Sequence, residues 1–139
     1  MRAYFEPLAR WTDAIQNDFA ARADWCVKPF DEANHPPVVK LANPLDIEVR
    51  PGEEVSLTAR GTTDPDGDAL SYHWWQYREA GTYEGTVGME RTDPGNPEVS
   101  LVVPADAKAG QTIHIICEVT DNGTPPLTRY QRVVLTVRP

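Results

Sequence analysis

Alternate carboxylates within one tight turn can converge on a hard cation, because calcium takes its ligands from oxygen. Asp64-Pro65-Asp66-Gly67-Asp68 is such a turn, and Asp121-Asn122-Gly123 is a second acidic turn able to face it. This is not an EF-hand: the glycine comes too early, and Trp75 stands where a closing bidentate glutamate would be. Asp-Pro-Asp-Gly is also a good turn with no metal at all. Two readings of Asp64, Asp66, Asp68 and Asp121 therefore stand side by side, a calcium site or plain turns, and Asn34 can reach the same end of the molecule.

A second set is aromatic. Trp75, Tyr77 and Tyr83 lie among Gln76, Arg78 and Glu79. Planar rings exposed on a sheet stack on sugar faces while polar neighbours bond the hydroxyls. The alternative is that Trp75 packs beneath the long Glu79–Asp93 connection or against an N-terminal helix, since large exposed apolar patches are uncommon.

Catalytic sets are missing from the sequence. Ser56, Ser71 and Ser100 fall within strand patterns, with no nucleophile elbow around them. His35, His73 and His114 are scattered, without metal-ligand spacing. The two cysteines, Cys26 and Cys117, are far apart in the chain and lack zinc-type companions. They read either as a staple between helix and sandwich or as two buried thiols. The sequence points to a protein that is not an enzyme.

These residues need a scaffold. The chain has 139 residues, enough for one ordinary domain. With 21 acidic and 13 basic residues its net charge is -8, a field that repels phosphate backbones and argues against nucleic acid. No run suits a membrane span, and Met1–Pro7 has no apolar signal core, so the chain reads either as cytosolic or, the favoured expectation, as a fragment whose targeting signal lies upstream.

Thr12 or Asp13 can cap a helix to about Trp25, with Ile15, Phe19, Arg22/Ala23 and Cys26 in helical spacing and Trp11 on or near that stripe. That stripe must pack on the sandwich or on a domain outside this chain, since a lone helix of this length is marginal. Residues 28–37, with three prolines, read as a stiff extended linker.

From Val38 short β-like runs alternate with turns. Strands are expected near Val38–Leu41, Leu45–Val49, Glu54–Ala59, Leu70–Tyr77, Val99–Val103, Thr112–Thr120 and Arg129–Val137. About seven such strands predict an all-β, immunoglobulin-like β-sandwich over 38–139, preceded by a short N-terminal helix. The Leu70–Tyr72–Trp74 face and the Ile113–Ile115–Cys117–Val119 face should form its core. Leu57 or Ala59 stands where an antibody-type domain would carry the partner of Cys117, so the inter-sheet disulfide is absent.

Several strings together resemble one family. They are Gln16-Asn17-Asp18-Phe19-Ala20-Ala21-Arg22, Asp24-Trp25-Cys26-Val27 and Ala33-Asn34-His35-Pro36-Pro37-Val38. To these add Asp64–Tyr72, Trp74-Trp75-Gln76-Tyr77, Glu79-Ala80-Gly81-Thr82-Tyr83 and Val119–Leu127. The chain is similar to the C-terminal domain of bacterial cellulose-binding proteins that carry a nucleoside-hydrolase-like domain in front.

The resemblance implies that residues 1–27 are the helical tail of that upstream domain and that the full protein is exported, to periplasm or cell exterior. It implies a polysaccharide ligand, and it assigns no binding residue.

Overall fold

The computed structural model describes residues 2–29, 32–89 and 93–139, with side chains from Trp11 onward. Phe30 and Asp31 of the expected linker lie outside the described residues. Helix α1 spans Arg2–Val27, followed by strands β1 (Asp46–Val49), β2 (Glu54–Thr58), β3 (Leu70–Gln76), β4 (Glu98–Val102), β5 (Thr112–Asp121) and β6 (Thr128–Val137).

Two sheets face each other. One has the order β1-β6-β5-β3 and the other pairs β2 with β4. All pairings are antiparallel except β1, which runs parallel to β6 from Asp46 opposite Val134 to Val49 opposite Val137. This is the immunoglobulin-like sandwich that the alternation predicts. The expected strand at Val38–Leu41 is reduced to a single bridge between Val38 and Thr63. Prolines at 36 and 37 remove two donors just before it, which leaves little ladder to extend.

The core forms where the period-2 pattern put it. Trp74 of β3 pairs with Cys117 of β5, and Ile113, Ile115, Cys117 and Val119 are all buried on that face. Leu57 and Ala59 meet them from the other sheet. Leu70 and Tyr72 are half-buried at the edge of the same cluster.

Ile116 breaks the pattern. It points outward on β5 and is nevertheless buried, 7% exposed, so something covers the outer face of the sheet. That cover is α1. The helix starts well before Thr12 and Asp13, because residues 2–10 hold mostly good helix formers and let it propagate past them. Its last turn closes with Lys28 N–H donating to the Asp24 carbonyl, and Pro29 ends it.

The face that packs on the sandwich carries Trp11, Ala14, Asp18, Ala21 and Trp25. These recur at three- and four-residue intervals. Ala21 is fully buried, and Asp18 pairs with Arg129 of β6 at 2.8 Å. Of the anticipated stripe, Trp11 packs on the sandwich and Ile15, though 64% exposed, borders a groove with Thr128, Arg129 and Tyr130 of β6, whereas Phe19 and Cys26 face water. With Cys26 exposed and Cys117 buried, both thiols are free and no staple forms.

Trp74 is the largest side chain in the centre of the sandwich. Trp74→Ala should cost about 3–5 kcal/mol in chemical denaturation. An unchanged midpoint and slope would mean that β3 is registered with its other face inward.

Candidate functional site

The outer face of the β1-β6-β5-β3 sheet is legible row by row. Trp75 lies opposite Ile116, which lies opposite Arg132, and Glu118 lies opposite Tyr130. Side chains of alternate residues share a face, so these rows put Trp75, Ile116, Arg132 and Tyr130 together on the outside.

Trp11 of α1 descends onto them. Its ring meets Tyr130 edge-on at 4.7 Å and lies 5.7 Å from Trp75 and 6.1 Å from Tyr77. Trp75 and Tyr77 are themselves 5.6 Å apart. Beside this cluster opens a cleft of about 740 Å³ between helix and sheet. Trp11, Tyr77 and Tyr130 give it aromatic walls, Ile116 is apolar lining, and Glu79, Gln131 and Arg132 bring polar groups.

The cleft keeps its charges close. Arg132 Nη1 donates to His114 Nδ1 at 3.4 Å. Burial, then the Arg132 charge, pushes the His114 imidazole below its ordinary range, so the ring stays neutral and can accept. Burial first, with the Glu118 charge behind it, raises the Tyr130 phenol, which remains a neutral hydroxyl.

Of the three aromatic residues singled out from the sequence, the structure brings Trp75 and Tyr77 together and removes Tyr83. Tyr83 is a core residue at 6% exposure. Its backbone N–H and that of Thr82 donate to the Thr112 carbonyl, which folds the loop back over the edge of the sandwich. Its hydroxyl donates to Asp106 Oδ1 at 2.7 Å. A ring held this way cannot stack on a ligand. Gln76 pins the same loop, donating to the Gly85 carbonyl and accepting from Val87 N–H.

Trp75 is half-buried against Trp11 and Tyr77, so its larger role is to seat the helix. Sequence reasoning missed Tyr130, Ile116 and Arg132 as cleft residues. The signal was available: all three fall on the outward parity of β5 and β6.

The acidic end divides in a similar way. Asp64, Asp66 and Asp68 each offer a carboxylate oxygen within 4.8 Å of the others. Gly67, at φ +73°, turns the chain among them. Asp64 Oδ1 accepts from the N–H groups of Asp66 and Asp68. Asp64 Oδ2 is buried and has no hydrogen-bond donor among the described residues. Asp66 takes the backbone N–H of His35 on one oxygen and meets His35 Nδ1 at 3.0 Å on the other. Desolvation, then the charges of Asp64, Asp121 and Asp66, pushes the Asp68 carboxyl above its usual range.

Asp121 stands outside that group. It is 2% exposed, and its Oδ1 accepts from Asn34 Nδ2, Gly123 N–H and Leu127 N–H. A carboxylate receiving this many donors is committed to holding the β5–β6 turn. Asn34 reaches this end as expected, but as a buried donor, with Nδ2 also serving Asp121 Oδ2 and the Pro125 carbonyl. Gly123 leaves room for it; a Cβ there would collide with the Asn34 amide.

The end of the expected linker, residues 33–37, packs against the sandwich and the helix. Ala33, Asn34 and Pro37 are buried, Trp25 Nε1 donates to the Asn34 carbonyl at 2.6 Å, and the rings of Trp25 and His35 stack. Cys117, buried on the core face, is pushed up to about 12 by burial and then by Glu118, so its thiol is inert at neutral pH.

The chain has recognisable relatives. Residues 54–137 match a family model described as "Cellulose-binding protein Sde0182, C-terminal domain". A solved nucleoside hydrolase-related hypothetical protein from Saccharophagus degradans, described as associated with carbohydrate metabolism, is 39% identical with a TM-score of 0.86. The alignment covers 93% of this chain and 32% of that one, so the chain spans about a third of its relative.

Murine CRIg aligns at 16% identity and a TM-score of 0.48 over 76% of this chain and 100% of that one. The mouse clustered protocadherin PcdhgC3 (EC1-3) aligns at 16% identity and 0.45 over 80% of this chain and 35% of that one. No curated protein sequence matches the chain.

The raised carboxyl gives a pH test. Asp68 in the folded state holds its proton to higher pH than the unfolded value of 3.8. Its charge is therefore a cost to folding at neutral pH, relieved as pH falls through the folded value. Asp68→Asn should melt higher than wild type at pH 7 in chelator, with the gap closing towards pH 4. A variant that melts lower at pH 7 would mean that the carboxylate is favourably engaged.

Proposed function

The chain belongs to the family of the C-terminal domain of cellulose-binding protein Sde0182, and we propose that it is a non-catalytic accessory module binding polysaccharide of the cellulose type. The observation that carries this reading is the cleft between α1 and the sheet. A β-linked glucan presents apolar C–H faces flanked by equatorial hydroxyls. Trp11, Tyr77 and Tyr130 supply ring surface for the first, and Glu79, Gln131 and Arg132 supply polar groups for the second.

The reading carries a location outside the cytoplasm, periplasmic or extracellular, where insoluble polysaccharide is met. No helix among the described residues is long and apolar enough to cross a membrane.

Retention on insoluble cellulose tests it. Wild type should be retained, and Tyr77→Ala combined with Tyr130→Ala should bind about tenfold more weakly, ~1.4 kcal/mol, with folding preserved. Equal retention of the two proteins, or no retention of either, would remove the cleft as the binding site.

A second reading has its own observation. Asp64 Oδ2 is buried with no donor among the described residues, within a cluster where desolvation and then mutual repulsion raise Asp68. A calcium ion held by Asp64, Asp66 and Asp68 would supply the missing partner and stiffen the end of a structural module that packs on a nucleoside-hydrolase-like domain. Melting in calcium against chelator decides the ion. At a hundredfold excess over Kd the stabilisation should reach about 2.7 kcal/mol, and Asp68→Asn should lose most of it. Superimposable melts would exclude the site.

A further inference from the structure

The helix carries two stripes, and the sandwich uses one. Trp11, Ala14, Asp18, Ala21 and Trp25 face the sheet, whereas Phe19 is 75% exposed and Ile15, at the rim of the groove beside Thr128 and Arg129, is still 64% exposed. Ala23 and Cys26 continue that outward stripe along the helix, and Val27 is exposed at its end. Phe19 alone presents roughly 150 Å² of ring and stem to water. Apolar area costs about 25 cal/mol per Å² when left there. A patch of this size is within what a monomer tolerates, so its role is decided by what lies beside it in a longer protein.

We infer that the Ile15–Phe19 stripe is the docking surface for a nucleoside hydrolase-related domain of the same polypeptide. The inference rests on the reading that this module is carried beside such a domain. Two observations select that occupant.

The first concerns the relative. Its match covers 93% of this chain, which leaves about ten of the 139 residues unmatched, fewer than the 26 of α1. Most of the helix is therefore shared with a protein in which this module is 32% of the chain. There the module is accompanied by a body about twice its size, in a protein described as nucleoside hydrolase-related.

The second is area. A stable dimer of free chains buries about 1,200 Å² or more counted over both partners, and the Ile15, Phe19 and Val27 patches of two copies together fall short of it. A patch that small suffices for a domain on the same chain, where tethering raises the effective concentration to the millimolar range. A second copy of this chain has no such advantage.

The test grafts this chain into the Saccharophagus degradans protein in place of its matched third. Amide exchange of residues 15–27 is then compared between the graft and the free 139-residue chain. The graft should protect these amides at least tenfold more. Ile15→Glu with Phe19→Glu should abolish the gain while leaving the melting temperature of the free chain unchanged, and Phe19→Leu should retain it.

Equal protection in graft and free chain overturns the inference. So does a gain that survives the double substitution, or concentration-dependent protection in the free chain, which would make the stripe a self-association face. Cellulose retention of the free double variant is scored separately. Its loss or survival speaks to the cleft, and only the exchange data speak to the stripe.

Discussion

One buried carboxylate organises the end of this molecule on which the rest is hung. Asp121, at the last position of β5, takes donors from Gly123, Leu127 and Asn34 in a place that water does not reach. Leaving such a group unpaired costs more than making its hydrogen bonds returns, so the arrangement is enforced by the penalty for its absence. Asn34 is thereby drawn against the β5–β6 turn. Trp25 follows, donating to the Asn34 carbonyl, and His35 is delivered to Asp66. The direction in which the helix leaves the sandwich is set here.

The cleft is a consequence of that direction. A helix anchored at Trp25 runs back across the sheet and lands Trp11 on Tyr130, Trp75 and Tyr77. The Asp18–Arg129 pair lies between the two anchors, and its half-exposed geometry makes it a guide more than a source of stability. Arg22 first, with Arg129, holds the Asp18 carboxyl below its ordinary range against the opposing effect of burial. Neither the sheet nor the helix alone encloses the cleft. Together they make aromatic walls with polar ends.

The same anchoring explains why the helix exposes an apolar row. A helix of 3.6 residues per turn can present one face to a sheet, and the anchors choose the face with Trp11 and Trp25. Ile15 and Phe19 lie roughly a third of a turn away and are left in water. The acidic turn, meanwhile, concentrates Asp64, Asp66 and Asp68 close to the buried Asp121 charge. Desolvation first, and then that proximity, raises the proton affinity of Asp68.

The sequence by itself determined the sandwich. Alternation placed Ile113, Ile115, Cys117 and Val119 with Trp74, glycine and proline marked the turns, and the absence of a cysteine near Leu57 excluded the inter-sheet disulfide. These are local properties, fixed by a period of two and by the backbone preferences of a few residues. It also brought Asp64, Asp66 and Asp68 together, since one turn does so whatever the rest of the chain does.

Only the tertiary structure decided that Tyr83 turns inward, that Asp121 is consumed by Asn34, and that residues 33–37 pack against the sandwich. It alone selected which stripe of α1 the sandwich covers. Periodicity states which residues share a face, but the partner of that face is chosen by contacts distant in sequence, such as Asn34 with Asp121 and Trp11 with Tyr130.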